Sequence, residues 1–122
     1  MAKIVHNNVL DAALTYLGTA STIECMCGTQ PTTRTEAITT YALGTVAVSS
    51  GDFAVADAAG GGRQSTVASK ASVAVSASGT ANFVALVDGT NLLYVNTCTA
   101  QPVTSGNTAT IGTWIVTLGD PT

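Results

Sequence analysis

The chain has 122 residues, and its four Lys/Arg and seven Asp/Glu amount to only 9% charged residues, against roughly 25% in an ordinary soluble domain. A net charge of −3 excludes the basic face that a phosphate backbone or an anionic lipid surface requires. Polarity comes instead from 21 threonines and nine serines, a surface that is cheap to desolvate against another protein because few ionised groups must lose their water.

Residues 1–122 are read as a single β-rich domain, since domains commonly run about 100–150 residues. A chain of this size buries roughly two-thirds of its unfolded surface and needs no metal or disulfide staple. Met1–Ala20 is broken by His6, Asn7, Asn8 and Asp11 and lacks the apolar core of a secretory leader. No run approaches the ~18 apolar residues of a membrane-spanning helix. Synthesis and folding in a cytoplasm are therefore expected. Cys25, Cys27 and Cys98 cannot all pair within one chain, which agrees with a reducing compartment.

Residues 1–8 are read as an N-terminal arm. Val9, Leu10, Ala13, Leu14 and Leu17 recur at three- and four-residue spacing and predict a helix over 9–17. Asn8 is its expected N-cap, Asp11 falls in the first turn, and Gly18 is the left-handed stop. So short a helix must dock, either on its own sheet or on a neighbouring subunit.

Residues 22–118 carry the β pattern. Ile23, Cys25 and Cys27 share one side of a strand, with Thr22, Glu24 and Met26 on the other. Thr33-Arg34-Thr35-Glu36 matches a capping box opening a single helical turn. Further strands are expected at Leu43–Val48, Phe53–Ala56, Gln64–Ser69, Ala71–Ala77, Ala81–Val87, Leu92–Cys98 and Thr108–Leu118. Turns fall at Ser49-Ser50-Gly51, Ser78-Gly79, Asp88-Gly89 and Ser105-Gly106-Asn107, and Ala58–Gly62 reads as a loop. Seven to eight short antiparallel strands with one short N-terminal helix imply an all-β sandwich or barrel.

Candidate chemistry is sparse. His6, the one histidine, lies among asparagines in the arm, where no carboxylate orients it as a base. Cys25-x-Cys27 is not the Cys-x-x-Cys knuckle of a zinc site. A strand would set the two sulfurs on one face, roughly 6.5–7 Å apart, where they read as neutral buried thiols, with disulfide formation after release from the cell as the alternative. Asp11, Glu36, Asp52 and Asp88 have local jobs at helix starts and turns, and no acid/base pair stands out. Gly60-Gly61-Gly62-Arg63 lacks the Lys-Ser/Thr of a phosphate loop; it reads as a hairpin loop whose Arg63 anchors the next strand or meets an acidic neighbour. Tyr41, Tyr94 and Trp114 are too spread for a nucleic-acid stacking platform. No catalytic residue, cofactor or metal site is expected.

Several segments together carry a family likeness. Asn8-Val9-Leu10-Asp11-Ala12-Ala13-Leu14 is followed by Gln30-Pro31-Thr32-Thr33 with Glu36-Ala37, then by Ser50-Gly51-Asp52-Phe53 and Gly62-Arg63. Ala77-Ser78-Gly79-Thr80-Ala81 runs into Val84-Ala85-Leu86-Val87-Asp88, before Leu92-Leu93-Tyr94-Val95, Trp114 and Asp120-Pro121. In this order and spacing the chain resembles the small virion structural proteins of tailed bacteriophages over nearly its whole length. The resemblance implies a many-copy, non-enzymatic protein of the capsid exterior: a decoration or cement protein made in the host bacterial cytoplasm. Its partners would be the major capsid protein and further copies of itself, with no direct nucleic acid and no membrane. Lys3, Ile4, Val5 and His6 of the arm, with Leu10, Leu14 and Leu17 of the helix, are the expected contact residues. The alternatives are a tail, connector or fibre component, or an adhesin-like glycan-binding module, which would need an aromatic platform or calcium-linked carboxylates.

Overall fold

The computed structural model describes residues 6–58 and 61–119. Helix α1 spans Asn7–Ala20, longer at both ends than the predicted 9–17. Its cap is His6 in place of Asn8: the imidazole Nδ1 accepts from the Asn8 backbone N–H at 3.1 Å, the job a short polar side chain usually does. Asp11 therefore lies past the first turn. Gly18 does not stop the helix. A Cβ there would sit 3.1 Å from the Phe53 side chain, so the glycine serves close packing. The stop is Ser21, whose N–H and Oγ both donate to the Leu17 carbonyl, at 3.0 and 2.6 Å.

Nine strands follow among the described residues: β1 (Ile23–Cys27), β2 (Ala42–Ala47), β3 (Phe53–Asp57), β4 (Arg63–Val67), β5 (Lys70–Ala74), β6 (Gly79–Val87), β7 (Leu92–Val103), β8 (Thr108–Ile111) and β9 (Trp114–Leu118). They form three antiparallel sheets, ordered β2-β1-β6-β7, β3-β4-β9 and β5-β8. The protein is thus all-β with one N-terminal helix. The ninth strand appears because the predicted Thr108–Leu118 strand breaks at Gly112-Thr113, so that β8 pairs with β5 while β9 pairs with β4. Such corners let one strand run pass from sheet to sheet. Ser78-Gly79 is correspondingly not a hairpin, because β5 and β6 lie in different sheets. An isolated bridge from Gly44 to Val75 joins β2 to the segment after β5. A Cβ on Gly44 would fall 2.8 Å from both the Ala74 carbonyl oxygen and the Met26 Cε, closer than any real Cβ sits.

The four-stranded sheet is covered on both faces, which explains why β1 and β6 are apolar at successive positions. On one face, Met26, Leu43, Val73, Val84 and Ile111 form a cluster against the β5-β8 pair. Beside it, Leu14 and Leu17 of α1 pack with Val48, Val67, Leu86 and Val116. Trp114 touches both clusters. On the other face, Cys25, Cys27, Ala37, Ala85 and Val87 cluster beneath the segment around the helical turn Glu36–Thr40. Thr33 Oγ1 accepts from the Glu36 N–H at 3.2 Å as a capping box requires, but the Glu36 carboxylate reaches Thr32, accepting from its N–H and Oγ1 at 2.8 and 2.7 Å. The Asp88 turn forms as expected, Oδ1 accepting from the Thr90 and Asn91 N–H groups.

Candidate functional site

Every charged side chain among the described residues is engaged inside the domain. Arg63 donates from Nε and Nη2 to the two Asp11 carboxylate oxygens, at 2.7 and 3.3 Å, and from Nη1 to Asp57. It meets acidic neighbours and so pins α1 to the β3–β4 hairpin. Lys70 Nζ bonds Asp52 Oδ1 at 2.9 Å, and Arg34 Nε donates to the Asp88 carbonyl at 2.7 Å. Glu36 and Asp88 hold turns, and Glu24 is buried. Three acids are held below the ordinary carboxylate range: Asp52 by Lys70, Glu36 by the Thr32 hydroxyl, and Asp88 by the Asn91 N–H. What remains for outside contacts is mostly hydroxyl, methyl, amide and main chain.

The expected contact residues divide. Lys3, Ile4 and Val5 lie outside the described residues. His6 caps α1, and Leu10 is half-buried. Leu14 and Leu17 are corrected: they are only 1% and 9% exposed, committed to the domain's own core, and are closed to a subunit contact. The helix offers instead an outward stripe of Val9, Ala12, Ala13 and Tyr16, with Val9 60% and Tyr16 62% exposed. These four are neighbours on one helical face. Three- and four-residue spacing alone groups Val9 with the buried leucines; the seven-residue step from Val9 to Tyr16 is the signal that separates the two stripes.

The cysteines are structural. Cys25 and Cys27 are fully buried, and Cys27 Sγ approaches the Ala37 carbonyl at 3.5 Å. Burial, reinforced by each thiol's neighbours, pushes their pKa values up to about 12 and about 11. Both are neutral thiols at physiological pH. Cys98 packs on the other cluster, half-buried, with Sγ 3.7 Å from the Ala81 carbonyl. The described residues contain no group of three His, Cys, Asp or Glu side chains placed to hold a metal, and no described helix is long and apolar enough to cross a membrane. Ellman's reagent near neutral pH is expected to modify at most Cys98 in the native protein, with Cys25 and Cys27 reacting only in denaturant. Rapid native labelling of all three thiols would contradict their burial.

One cleft stands out, with a volume of about 360 Å³. It exists because of two irregularities. β7 bulges opposite Ala81–Phe83, where Ala81 pairs with Gln101 and Phe83 with Thr97, leaving extra residues on β7. Across from it, the chain turns the Gly112-Thr113 corner between β8 and β9. Met26, Val84 and Ile111 supply apolar lining; Thr97, Thr99, Gln101, Thr110 and Thr113 supply hydroxyls and an amide. Trp114 lines the cleft and is held from two directions. Its Nε1 donates to Glu24 Oε2 at 2.5 Å, and its ring stacks on Tyr94 with centroids 5.9 Å apart at 26°. Glu24 is 0% exposed, and its Oε1 has no hydrogen-bond partner among the described residues. Burial raises its pKa, opposed by the indole N–H and the charge of Lys70. Neither the Glu24–Trp114 bond nor the Tyr94–Trp114 stack was legible in the sequence, because the partners are distant in the chain and meet only through sheet packing.

Comparison with protein-family models, with curated proteins and with solved structures found no match.

Proposed function

We propose that this chain is a non-enzymatic virion structural protein of a tailed bacteriophage, a capsid decoration or cement protein that binds the outside of the head shell and bridges capsomers. The observation that carries this reading is the internal engagement of every described charged side chain. A surface with so few charged side chains, the described ones already engaged within the domain, loses little on desolvation and suits repeated protein contacts. The Val9–Tyr16 stripe supplies an apolar anchor, and attachment at many sites multiplies contacts that are weak singly. The partners are the major capsid protein and other copies of this chain, on the virion exterior, after synthesis in the host bacterial cytoplasm.

Purified protein added to empty expanded heads that lack it is expected to co-sediment at a fixed ratio to the major capsid protein. Tyr16→Asp is expected to weaken that binding by about tenfold or more, as loss of an interface aromatic commonly does, without shifting the thermal midpoint. Labelling confined to tails would replace this reading with the tail, connector or fibre one.

A further inference from the structure

We propose that the cleft between the β7 bulge and the β8–β9 corner binds a neutral pyranose unit of a glycan, with Trp114 as its aromatic wall. At about 360 Å³ it lies near the lower end of the roughly 300–1,000 Å³ typical of small-molecule sites. Its chemistry is specific in three respects. First, no charged side chain among the described residues lines it, so an ionic ligand would give up water without gaining a counter-charge from them. Second, four threonines, whose hydroxyls can both donate and accept, and Gln101 are among the lining residues. A polyol presents the same dual character and can satisfy them in either sense. Third, apolar floor residues and an indole meet these polar groups in one cleft, matching a sugar ring that has a C–H face and a hydroxyl edge.

The indole is also fixed before any ligand arrives. Glu24 holds its N–H and Tyr94 stacks on its ring, so little side-chain freedom is lost on binding. The arrangement keeps a carboxylate buried with Oε1 unpartnered, an unfavourable feature for folding alone. Positioning the one tryptophan of the chain at the cleft gives that feature a purpose. This aromatic pair supplies the platform that a glycan-binding reading of the sequence would have required.

Because Trp114 is the only tryptophan, its fluorescence reports the cleft directly. Titration with the methyl pyranosides of glucose, galactose and mannose is expected to give a saturable emission change for at least one of them. Half-saturation should fall at about millimolar concentration, as suits a ligand of so few atoms. N-acetylneuraminic acid should leave the emission unchanged. Gln101→Ala and Thr110→Val, both at exposed positions, should each weaken binding by about fivefold, the worth of one neutral hydrogen bond, with no change in thermal midpoint. Flat emission with every hexoside up to ~100 mM, a response to the anionic sugar alone, or a response undiminished in both variants would overturn the proposal. Head binding is measured separately, so either reading can fail without the other.

Discussion

Leu86→Ala is expected to lower folding stability by about 2–5 kcal/mol, the range for truncating a buried leucine. Leu86 is 0% exposed on β6, flanked by β1 and β7, and packs in the cluster that joins α1 to β4 and β9. That cluster is built mainly from leucine and valine, with no large aromatic among its fully buried members. The cost grows with the cavity that persists, and so is set by how far Phe53, Leu93, Tyr94 and Trp114, which pack against the cluster from its margin, relax into the vacancy. Since a domain of this kind is stable by only ~5–15 kcal/mol, the variant should show a clear drop in its urea midpoint by circular dichroism. Ile115→Ala provides the contrast, because Ile115 is 43% exposed on β9; its effect should stay below about 1 kcal/mol. Equal shifts for the two variants would mean that the core does not lie where the clusters place it.

Glu24→Gln should stabilise the protein at neutral pH, by about 1–3 kcal/mol, because it removes a desolvated charge while keeping an oxygen for the Trp114 N–H. The sign follows from linkage. Burial raises the Glu24 pKa above its ordinary value of 4.5, so the folded state binds this proton more readily than the unfolded chain. The stability it contributes is fully present below the unfolded value and is lost as pH rises through the folded one. Lys70 and Asp52 are the charged neighbours that act on it, Lys70 lowering and Asp52 raising the pKa. Asp52, Glu36 and Asp88 run the other way. Their lowered values give stability present above the ordinary carboxylate range and lost as pH falls through the folded values. Thermal midpoints across pH should therefore fall on the acid side for both proteins, while the decline of the wild type on the rising side disappears in Glu24→Gln. A variant that is less stable at neutral pH and keeps the same pH profile would show that the Glu24 charge is compensated.

The parts of the fold that were legible in the sequence are those set by near neighbours. The 3.6-residue periodicity located α1, the Asp88 side chain marked the β6–β7 turn, and alternation located most strands. Long-range pairing was not legible. Nothing local to Lys70–Ala74 says that it pairs with Thr108–Ile111 and not with the strand that follows it. The same gap hid the cleft, since the β7 bulge and the Gly112-Thr113 corner have meaning only when brought face to face. Histidine is an uncommon cap, so sequence alone puts His6 in the arm, although its Nδ1 can accept as an asparagine oxygen does. Of the helix, periodicity identifies the apolar leucine stripe but not that it faces inward; the exposed stripe, Val9 to Tyr16, emerges once the leucines are committed to the core.

The most direct test of the account is the binding isotherm of this protein on empty expanded heads at low and high salt. Contacts through a surface so poor in charged side chains, whose described members are engaged within the domain, should saturate at a fixed ratio under both conditions, with affinity changing by no more than about threefold between about 50 and 500 mM salt, where exposed ion pairs would be heavily screened. Absence of saturable binding, or an affinity that collapses as salt rises, would contradict it.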